Sequence, residues 1–514
     1  MDLNAQDKEA RYRGRGWTGL ALLVSTVFYV ISFLHLRADF PNGSPWTDWS
    51  KMTDEGWYGG GAVHHFVQGS WYLPGSFNPA VAMPVWPAML GAWFAVTGVS
   101  MIAARTLTML LYGVSLVLLY KVAWRARPGK LAAIVVLLTV MNPFCYAFDR
   151  LALLEPVTVF WMMLALWLAG ETKVEDGFRQ VLLGVVVALL LLTKVTGVAL
   201  VPAILYFMWA GWGWPGLRGL RWRGVAAVVI VVGIAGLLLE GYMRLGVMPH
   251  YLADYRLLFS INAYRVHLSI VPTMAWVTLR DGGWLNPILF PMAMVVVVLS
   301  VVWLRELWRV PLFGASLIAI MGHLAYIGYH TNFQPRYYLV IAMPMVLVIG
   351  LGAAAMVDRS RADGERLGSP WAGGLAARWS ASVLAGLVLI AAMGMVRQTV
   401  GYGVHPEYSF WEAAEGIAAI MQAEGSAKPL LLSDSGDDIS LWTGVPAVSE
   451  TYTTQGLDAM LNRYQPGWYA AWQKSEQKAI ERVGERYRLN EVARYRVFDD
   501  PKRQTLVLYK LTPR

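Results

Sequence analysis

The stretch Ile102 to Trp124, IAARTLTMLLYGVSLVLLYKVAW, decides the fold class of this chain. It is long and apolar enough for one helical membrane span, which needs about 20 mostly apolar residues. Three basic residues, Arg125, Arg127 and Lys130, follow it closely. Because Lys and Arg concentrate on the cytoplasmic side of membrane proteins, we expect this span to end in the cytoplasm.

The composition extends this interpretation to the whole chain of 514 residues. Hydrophobic residues make up 56% of the sequence and charged residues only 15%, against about 25% charged residues in an ordinary soluble domain. These values exclude a disordered chain and an ordinary cytosolic enzyme. The formal charge of +9 therefore indicates membrane topology rather than nucleic-acid binding. The single cysteine, Cys145, excludes an intramolecular disulfide.

The apolar segments predict about eleven spans in total, with the N-terminus in the cytoplasm. The first is Trp17 to Leu36, which follows basic residues and which we interpret as a retained anchor. The segment Val81 to Gly98 contains Pro84 and Pro87, so it is either a second span or a helix on the outer surface of the membrane. Only the surface helix leaves every basic loop on the cytoplasmic side, and we therefore favour it.

The composition changes near residue 400, where the long apolar segments end. Residues 1–399 are expected to form an α-helical polytopic membrane domain, in which residues 37–101 are the first outer loop and carry juxtamembrane helices. Residues 400–514 alternate short apolar stretches with polar, helix-like ones. This pattern predicts a soluble α/β domain on the outer side of the membrane.

Charged residues beside the predicted spans form four clusters on the expected outer side. Ionisable groups at membrane depth are costly and are therefore usually functional or paired. The clusters are Thr53–Tyr58 with Asp54, Glu55 and Tyr58; Phe148–Pro156 with Arg150 and Glu155; Leu192–Gly197 with Lys194; and Gln334–Tyr338 with Arg336. Each has a simpler explanation, because acidic residues cap helices and long basic side chains anchor at the membrane interface.

Taken together, the clusters supply carboxylates and three cations, Arg150, Lys194 and Arg336, at the outer mouth of one helix bundle. Cations of this kind neutralise a phosphate leaving group, and a carboxylate takes the proton of an acceptor hydroxyl. The three cations are therefore predicted to bind a lipid-linked phosphate. The residues expected to orient the acceptor or a cation are Glu155, Tyr58 and His330.

Several motifs resemble a known group of enzymes. The motifs are, in order, Asp54-Glu55-Gly56-Trp57-Tyr58, the segment Gly69–Pro79, Pro84-Val85-Trp86-Pro87, Ala103-Ala104-Arg105, Arg150–Pro156, Thr193-Lys194 and Arg336-Tyr337-Tyr338. They resemble integral-membrane glycosyltransferases of the C-type fold, in particular the protein O-mannosyltransferase and lipid A aminoarabinose transferase group. Arg150–Pro156 is similar to that group's Arg-x-x-Leu-Leu-Asp-Pro motif, with Glu155 in place of Asp.

This resemblance, over about residues 10 to 350, implies a sugar donor linked to polyprenyl phosphate and transfer with inversion. It implies that Asp54 acts as the base or orients the acceptor. Our main hypothesis is that Asp54 is the base and that Glu55 supports it. The resemblance requires no cofactor, although Asp54 and Glu155 are candidates to share a divalent cation. Aminoarabinose transferases usually carry Lys-Pro before their second juxtamembrane helix, and this chain has Met83-Pro84 there, so that particular phosphate contact is missing.

The expected function is a glycosyltransferase of the bacterial inner membrane. Its active site and its C-terminal domain would lie on the periplasmic or other extracytoplasmic side. Its partners would be the polyprenyl-phosphate sugar, membrane lipid and an acceptor that is a protein, lipid A or another envelope glycan, with no nucleic acid. The alternative is a polytopic transporter or flippase, although such proteins usually show internal repeats and charges near the midplane of the bilayer.

Overall fold

Helices make up most of the described chain as far as Val404. The computed structural model describes residues 3–171, 177–212, 220–242, 244, 251–261, 268–330, 333–366, 375–424 and 429–514. The helices of this part are α1 (Leu3–Leu34), α2 (Asp54–Gln68), α3 (Val85–Thr97), α4 (Met101–Ala126), α5 (Lys130–Val140), α6 (Pro143–Asp149), α7 (Leu154–Glu171), α8 (Gly177–Thr193), α9 (Val201–Trp212), α10 (Leu220–Tyr242), α11 (Tyr251–Ile261), α12 (Val271–Asp281), α13 (Leu289–Val302), α14 (Pro311–His330), α15 (Ala342–Arg366) and α16 (Leu375–Val404).

Among the described residues, six helical segments are long and apolar enough to cross a membrane. They are Gly16–Leu34, Met101–Ala126, Leu154–Glu171, Pro311–Tyr329, Pro335–Ser360 and Ser382–Ala423. The pair α5 and α6, bent by 66°, would make a seventh span. Shorter apolar helices coincide with four further predicted spans, at Gly177–Thr193, Val195–Ala210, Ala226–Gly241 and Leu289–Val302. The protein is thus a multi-pass membrane protein, and the count of about eleven spans stays a prediction.

Helix α3 occupies the apolar segment for which a surface helix was favoured. Its 13 residues extend over about 20 Å, which is less than the ~30 Å hydrocarbon core of a bilayer. Two of its side chains, Trp86 and Leu90, are fully buried in the protein core. Leu90 packs closely against Gly59 of α2. The length and packing of α3 fit a juxtamembrane helix.

A second domain, with strands, follows the helices. Its helices are α17 (Ser409–Ala423), α18 (Gly436–Thr443), α19 (Leu457–Tyr464) and α20 (Gln477–Arg486). Its strands are β1 (Leu431–Leu432), β2 (Ala447–Val448), β3 (Trp468–Trp472), β4 (Tyr487–Arg496) and β5 (Thr505–Pro513). They form one sheet in the order β2-β1-β3-β5-β4, with β1 parallel to β2 and β3 and with β5 antiparallel to β3 and β4. The predicted C-terminal α/β domain is therefore present.

Hydrogen bonds join this domain to residues 37–101, the predicted first outer loop. The carboxylate of Asp39, just after α1, accepts hydrogen bonds from the backbone N–H of Phe410 at 2.7 Å and of Trp411 at 3.2 Å. A carboxylate at the start of a helix, here α17, also interacts favourably with the helix dipole. In the outer loop, Phe77 N–H donates to the carbonyl of Tyr452 at 3.0 Å. The first outer loop and the C-terminal domain therefore pack as neighbours.

Candidate active site

Asp54 begins helix α2, within the predicted first outer loop. Thr53 Oγ1 donates a hydrogen bond to Asp54 Oδ1 at 3.1 Å, and Asp54 Oδ2 lies 2.7 Å from Nη2 of Arg336. The Asp54 side chain is 10% exposed. An acidic residue in the first turn of a helix is favourable by itself, but the contact with Arg336 gives Asp54 a second role as the partner of a buried cation.

Arg336 is the centre of the site. It follows Pro335 at the start of a 3-10 segment, Pro335–Ile341, which leads into α15. Its guanidinium pairs with Asp48 and Asp54, and its Nε lies 3.4 Å from Glu155 Oε1. Its backbone N–H also donates to Asp48 Oδ2 at 3.1 Å. Three carboxylates thus converge on one buried guanidinium.

Lys194 joins this group through Glu155. Its ammonium forms an ion pair with Glu155 and lies 4.4 Å from the ring centre of Tyr337. Lys194 stands in the turn after α8, and Glu155 in the first turn of α7. We call Asp48, Asp54, Glu155, Lys194 and Arg336 the Arg336 cluster. With its members ionised, the cluster holds two cations and three carboxylates and is short of positive charge.

Two further buried side chains, Tyr58 and His323, lie beside the Arg336 cluster. Tyr58 lies one turn after Asp54 on α2 and is buried near Arg336, and burial raises the pKa of its hydroxyl well above its usual range. His323 of α14 contacts the carbonyl oxygen of Tyr337 through Nε2 at 2.9 Å. His330 ends α14, and its side chain lies outside the described residues.

Two of these residues, Asp48 and His323, were missed by the sequence analysis. Asp48 accepts a hydrogen bond from the backbone of Ser50 at 2.9 Å, which is what a turn-forming Asp does by itself. The one sequence feature that could have indicated Asp48 as a site residue is its position in the same predicted loop as Asp54. His323 lies inside an apolar helix and carried no motif.

Glu55 belongs to a different set of contacts from its neighbour Asp54. Both of its oxygens pair with Arg105 of α4, with Arg105 Nε 2.8 Å from Oε1. The backbone N–H of Ala152 donates to the same Oε1 at 2.7 Å. Glu55 therefore fastens the start of α2 to α4 and to the turn before α7. Glu55 can therefore influence Asp54 only by fixing the backbone of the first turn of α2.

Arg150 contacts a different set of residues from the other two predicted phosphate ligands. It ends α6, and its guanidinium donates to the carbonyl oxygens of His35 at 3.0 Å and of Asp39. Its Cζ lies 5.1 Å from the ring centre of Tyr146. The structure thus brings Lys194 and Arg336 together and places Arg150 where it holds the turn that follows α1.

The pKa of Asp54 is suited to proton transfer near neutral pH. Burial raises it to about 6, while Arg336 acts to lower it and Asp48 and Glu155 act to raise it. A group with such a pKa is largely ionised at pH 7 and can accept a proton. Perturbed pKa values of this kind concentrate at functional sites.

An apolar groove opens between α12 and α14, beside the segment that carries Arg336. It encloses about 380 Å³. Its lining includes Val271, Met274, Met321 and Leu324. At Thr278, which also lines it, the backbone carbonyl accepts a hydrogen bond from the hydroxyl of Tyr338 at 2.9 Å. The groove has the size and polarity for part of an aliphatic chain.

The residues present do not favour a metal site. Among the described residues, no group of three or more His, Cys, Asp and Glu side chains could hold a metal ion. Asp54 and Glu155, the two candidate ligands, both contact the guanidinium of Arg336. The guanidinium of Arg336 is therefore a positively charged partner of both candidate ligands.

Residues 79–238 match the family model of the dolichyl-phosphate-mannose-protein mannosyltransferases. This range includes Glu155 and Lys194, whereas Asp54 and Arg336 lie outside it. No curated protein sequence is significantly similar to the chain.

The structure is similar to two solved membrane glycosyltransferases. ArnT from Cupriavidus metallidurans in the apo state aligns over 96% of this chain and 98% of its own, with a TM-score of 0.58 and 15% identity. The oligosaccharyltransferase of Archaeoglobus fulgidus aligns over 90% of this chain and 70% of its own, with a TM-score of 0.56 and 10% identity. This chain has the C-type glycosyltransferase fold. ArnT bound to undecaprenyl phosphate aligns over the same shares as its apo state, with a TM-score of 0.59 and 16% identity. The resemblance found in the sequence is thus confirmed for the fold.

Proposed function

We propose that this protein transfers a sugar from a polyprenyl-phosphate donor to an acceptor hydroxyl on the outer face of the membrane, with inversion. The Arg336 cluster carries the proposal. It holds a carboxylate with a pKa of about 6 against Arg336 and a second cation, Lys194, on Glu155, and an apolar groove lies beside the segment of Arg336. The solved complex of ArnT with undecaprenyl phosphate supports a polyprenyl-linked donor for a chain of this fold.

Lys194 and Arg336 are the proposed ligands of the donor phosphate. Because the cluster already carries more carboxylates than cations, a phosphate binds well only if it replaces one carboxylate. Asp54 is the candidate for release, since its side chain is 10% exposed while those of Asp48 and Glu155 are fully buried. Phosphate binding would therefore take Arg336 from Asp54 and free the base when the donor is in place.

The chemical step follows from this arrangement. The acceptor oxygen attacks the anomeric carbon from the face opposite the phosphate, and Asp54 takes the hydroxyl proton. The bond between the anomeric carbon and the phosphate oxygen breaks, and its electron pair stays on the phosphate. Lys194 and Arg336 stabilise the charge that develops on this leaving group. The sugar leaves with inverted configuration, and polyprenyl phosphate remains in the groove.

The cations of the cluster replace a divalent metal in this proposal. Arg336 supplies positive charge at the leaving group without proton loss at neutral pH, and Lys194, which pairs with Glu155, is the proposed second cation. We therefore expect transfer to continue in EDTA. A loss of activity that Mg²⁺ or Mn²⁺ restored would assign Asp54 and Glu155 to a metal ion instead.

The proposed location is the bacterial inner membrane, with the N-terminus in the cytoplasm and the active site periplasmic. The acceptor is a hydroxyl of a protein, lipid A or another envelope glycan. The archaeal oligosaccharyltransferase has been solved with a tethered acceptor peptide, so peptide, lipid A and glycan acceptors belong in the same assay. No feature of the described residues favours the transporter alternative.

The test is transfer from labelled undecaprenyl-phosphate sugars by the purified protein in detergent, where transport has no meaning. A donor-dependent glycosylated product is the expected result. Asp54→Asn should lower the rate by about 10²–10⁴-fold, as expected for loss of a general base. The matched control is Asp458→Asn, which changes an exposed carboxylate on α19. Full activity of Asp54→Asn would overturn the assignment of the base.

A further inference from the structure

One face of α2 is covered by the C-terminal domain. Residues four apart on a helix lie on the same face, and Gly56, Gly60 and His64 form such a series. The first turn of α18 packs on this series. His64 Nε2 lies 2.9 Å from Asp437 Oδ1, and the backbone N–H of Gly56 donates a hydrogen bond to Asp438 Oδ1. His64, Asp437 and Asp438 are all buried.

Gly56 is required by the closeness of this contact. A Cβ atom at position 56 would overlap the backbone of Asp437 and Asp438, which a flexible side chain could not relieve by moving. A Cβ atom at Gly60 would lie 3.7 Å from Asp437 Oδ2, which is an ordinary contact. The two segments therefore meet backbone to backbone at the first turn of α2.

The hydrogen bond to Asp438 is the capping bond that no residue just before α2 supplies. The first N–H groups of a helix have no partner within the helix, and a side chain just before it usually accepts from one of them. Thr53 occupies that place in α2, but its side chain makes no capping hydrogen bond. Asp438, 382 residues further along the chain, accepts from Gly56 instead.

Helix α18 also covers the ion pair between Glu55 and Arg105, which fastens the start of α2 to α4. Trp442, one turn after Asp438 on α18, has its ring centre 5.1 Å from Cζ of Arg105. Arg105 is the partner of Glu55. Helix α18 thus lies over both contacts that fix the turn in which Asp54 stands.

We propose that α18 is a positioning element of the active site, in which Asp438 caps α2 from the C-terminal domain and thereby sets the position of Asp54. This inference rests on the proposed function and gives the C-terminal domain a role in it. Asp438 is a positioning residue, since it acts on the reaction through α2. Loss of the cap would let the first turn of α2 loosen, and Asp54 would leave the place where it meets the acceptor.

A neutral amide should replace Asp438 well. Burial raises the pKa of the Asp438 carboxyl well above its usual range, and the nearby Glu55 raises it further. Its carbonyl oxygen remains an acceptor in the protonated form. Asp438→Asn therefore keeps the hydrogen bond to Gly56, whereas Asp438→Ala removes it. This pair of variants separates the cap from the general packing of α18.

The first experiment needs no activity. Hydrogen exchange of the full-length protein in nanodiscs, followed by mass spectrometry, reports on the amides of residues 54–58. We expect faster exchange there in Asp438→Ala and wild-type exchange in Asp438→Asn and in the control Asp458→Ala. Should Asp438→Ala fail to fold, His64→Ala removes the neighbouring contact with Asp437 and so loosens the packing of α18 on α2 that holds the cap in place. Wild-type exchange of residues 54–58 in the folded variant would overturn the proposal.

The second experiment separates positioning from stability. In Asp438→Ala, kcat should fall at least about tenfold, as displacement of a catalytic group predicts, while the KM for the donor stays unchanged. Asp438→Asn should restore most of kcat. If Asp438→Ala and Asp438→Asn lost the same amount of melting temperature and both kept the wild-type kcat per folded molecule, the role of Asp438 would be merely structural and the proposal would be overturned. Absence of transfer by the wild type would instead contradict the proposed function and leave the exchange result standing.

Discussion

Asp54 Oδ2 lies 2.7 Å from Nη2 of Arg336, so the proposed base and a proposed phosphate ligand neutralise each other before the donor binds. The contact links donor binding to the release of the base. It also keeps a carboxylate of raised pKa ionised in a site where burial opposes its charge. Four predictions follow from this pair and from the contacts around it.

The first prediction concerns pH. In the free protein, burial raises the pKa of Asp54 to about 6, against the opposing effect of Arg336. Since only the ionised carboxylate accepts a proton, kcat/KM should fall about tenfold per pH unit below pH 6. If the donor phosphate takes Arg336 away, Asp54 loses its stabilising cation and its pKa rises in the complex. The acidic midpoint in kcat should then lie above that in kcat/KM, and equal midpoints would argue against displacement.

The second prediction concerns Arg336→Lys. A lysine keeps one charge but cannot bridge Asp48, Asp54 and Glu155 as the guanidinium does. The KM for the donor should rise and kcat should fall, with a combined loss of about 10–100-fold in kcat/KM. Steady-state kinetics against donor concentration measure both. The control is Arg359→Lys, at a partly exposed ion pair with Glu306, which should match the wild type.

The third prediction concerns the pair of Lys194 and Glu155. Lys194→Met leaves the fully buried Glu155 without its ammonium partner and should lower the free energy of unfolding by about 3–5 kcal/mol. Adding Glu155→Gln should recover most of that stability, because the buried charge is gone. Transfer activity should stay low in the double variant, since the phosphate has lost a cation. Recovery of activity along with stability would show that Lys194 acts only as a structural partner.

The fourth prediction distinguishes Glu55 from Asp54. Glu55→Gln removes the charge that balances the buried Arg105, and should lower the free energy of unfolding by about 3–5 kcal/mol. The folded fraction should keep a kcat within about threefold of the wild type, because the amide oxygen of the introduced glutamine can still accept the hydrogen bonds from Arg105 and Ala152 that hold the turn of Asp54 in place. Chemical unfolding and the transfer assay, run on the same preparation, test this. A loss of kcat as large as that of Asp54→Asn would make Glu55 catalytic.

The sequence predicted the membrane part and several members of the site because the signals there are local. A long apolar run such as Ile102 to Trp124 is recognisable without its partners. Asp54, Glu155, Lys194 and Arg336 stood out because ionisable side chains beside a span are costly. The resemblance in motif order then placed them in one group, which the structure brings together.

The partners within the site were beyond the sequence, because they depend on packing between distant segments. Glu55 and Asp54 are adjacent in the chain and point to different arginines. Arg150 has the charge of a phosphate ligand, yet backbone carbonyls use its donors. The cap of α2 by Asp438 crosses 382 residues, and no periodicity or local motif reports on such a contact.

The distance along the chain between Gly56 and Asp438 has a consequence for biogenesis. At a synthesis rate of about 5–20 residues per second, the 382 residues between them take the ribosome roughly 20–75 s. During that time α2, which lies on the outer side of the membrane in the proposed topology, lacks its cap. In this topology the proposed active site is completed only when residue 438 has itself been translocated and folded, so a nascent chain arrested before that point would hold the proposed donor ligands but no positioned base.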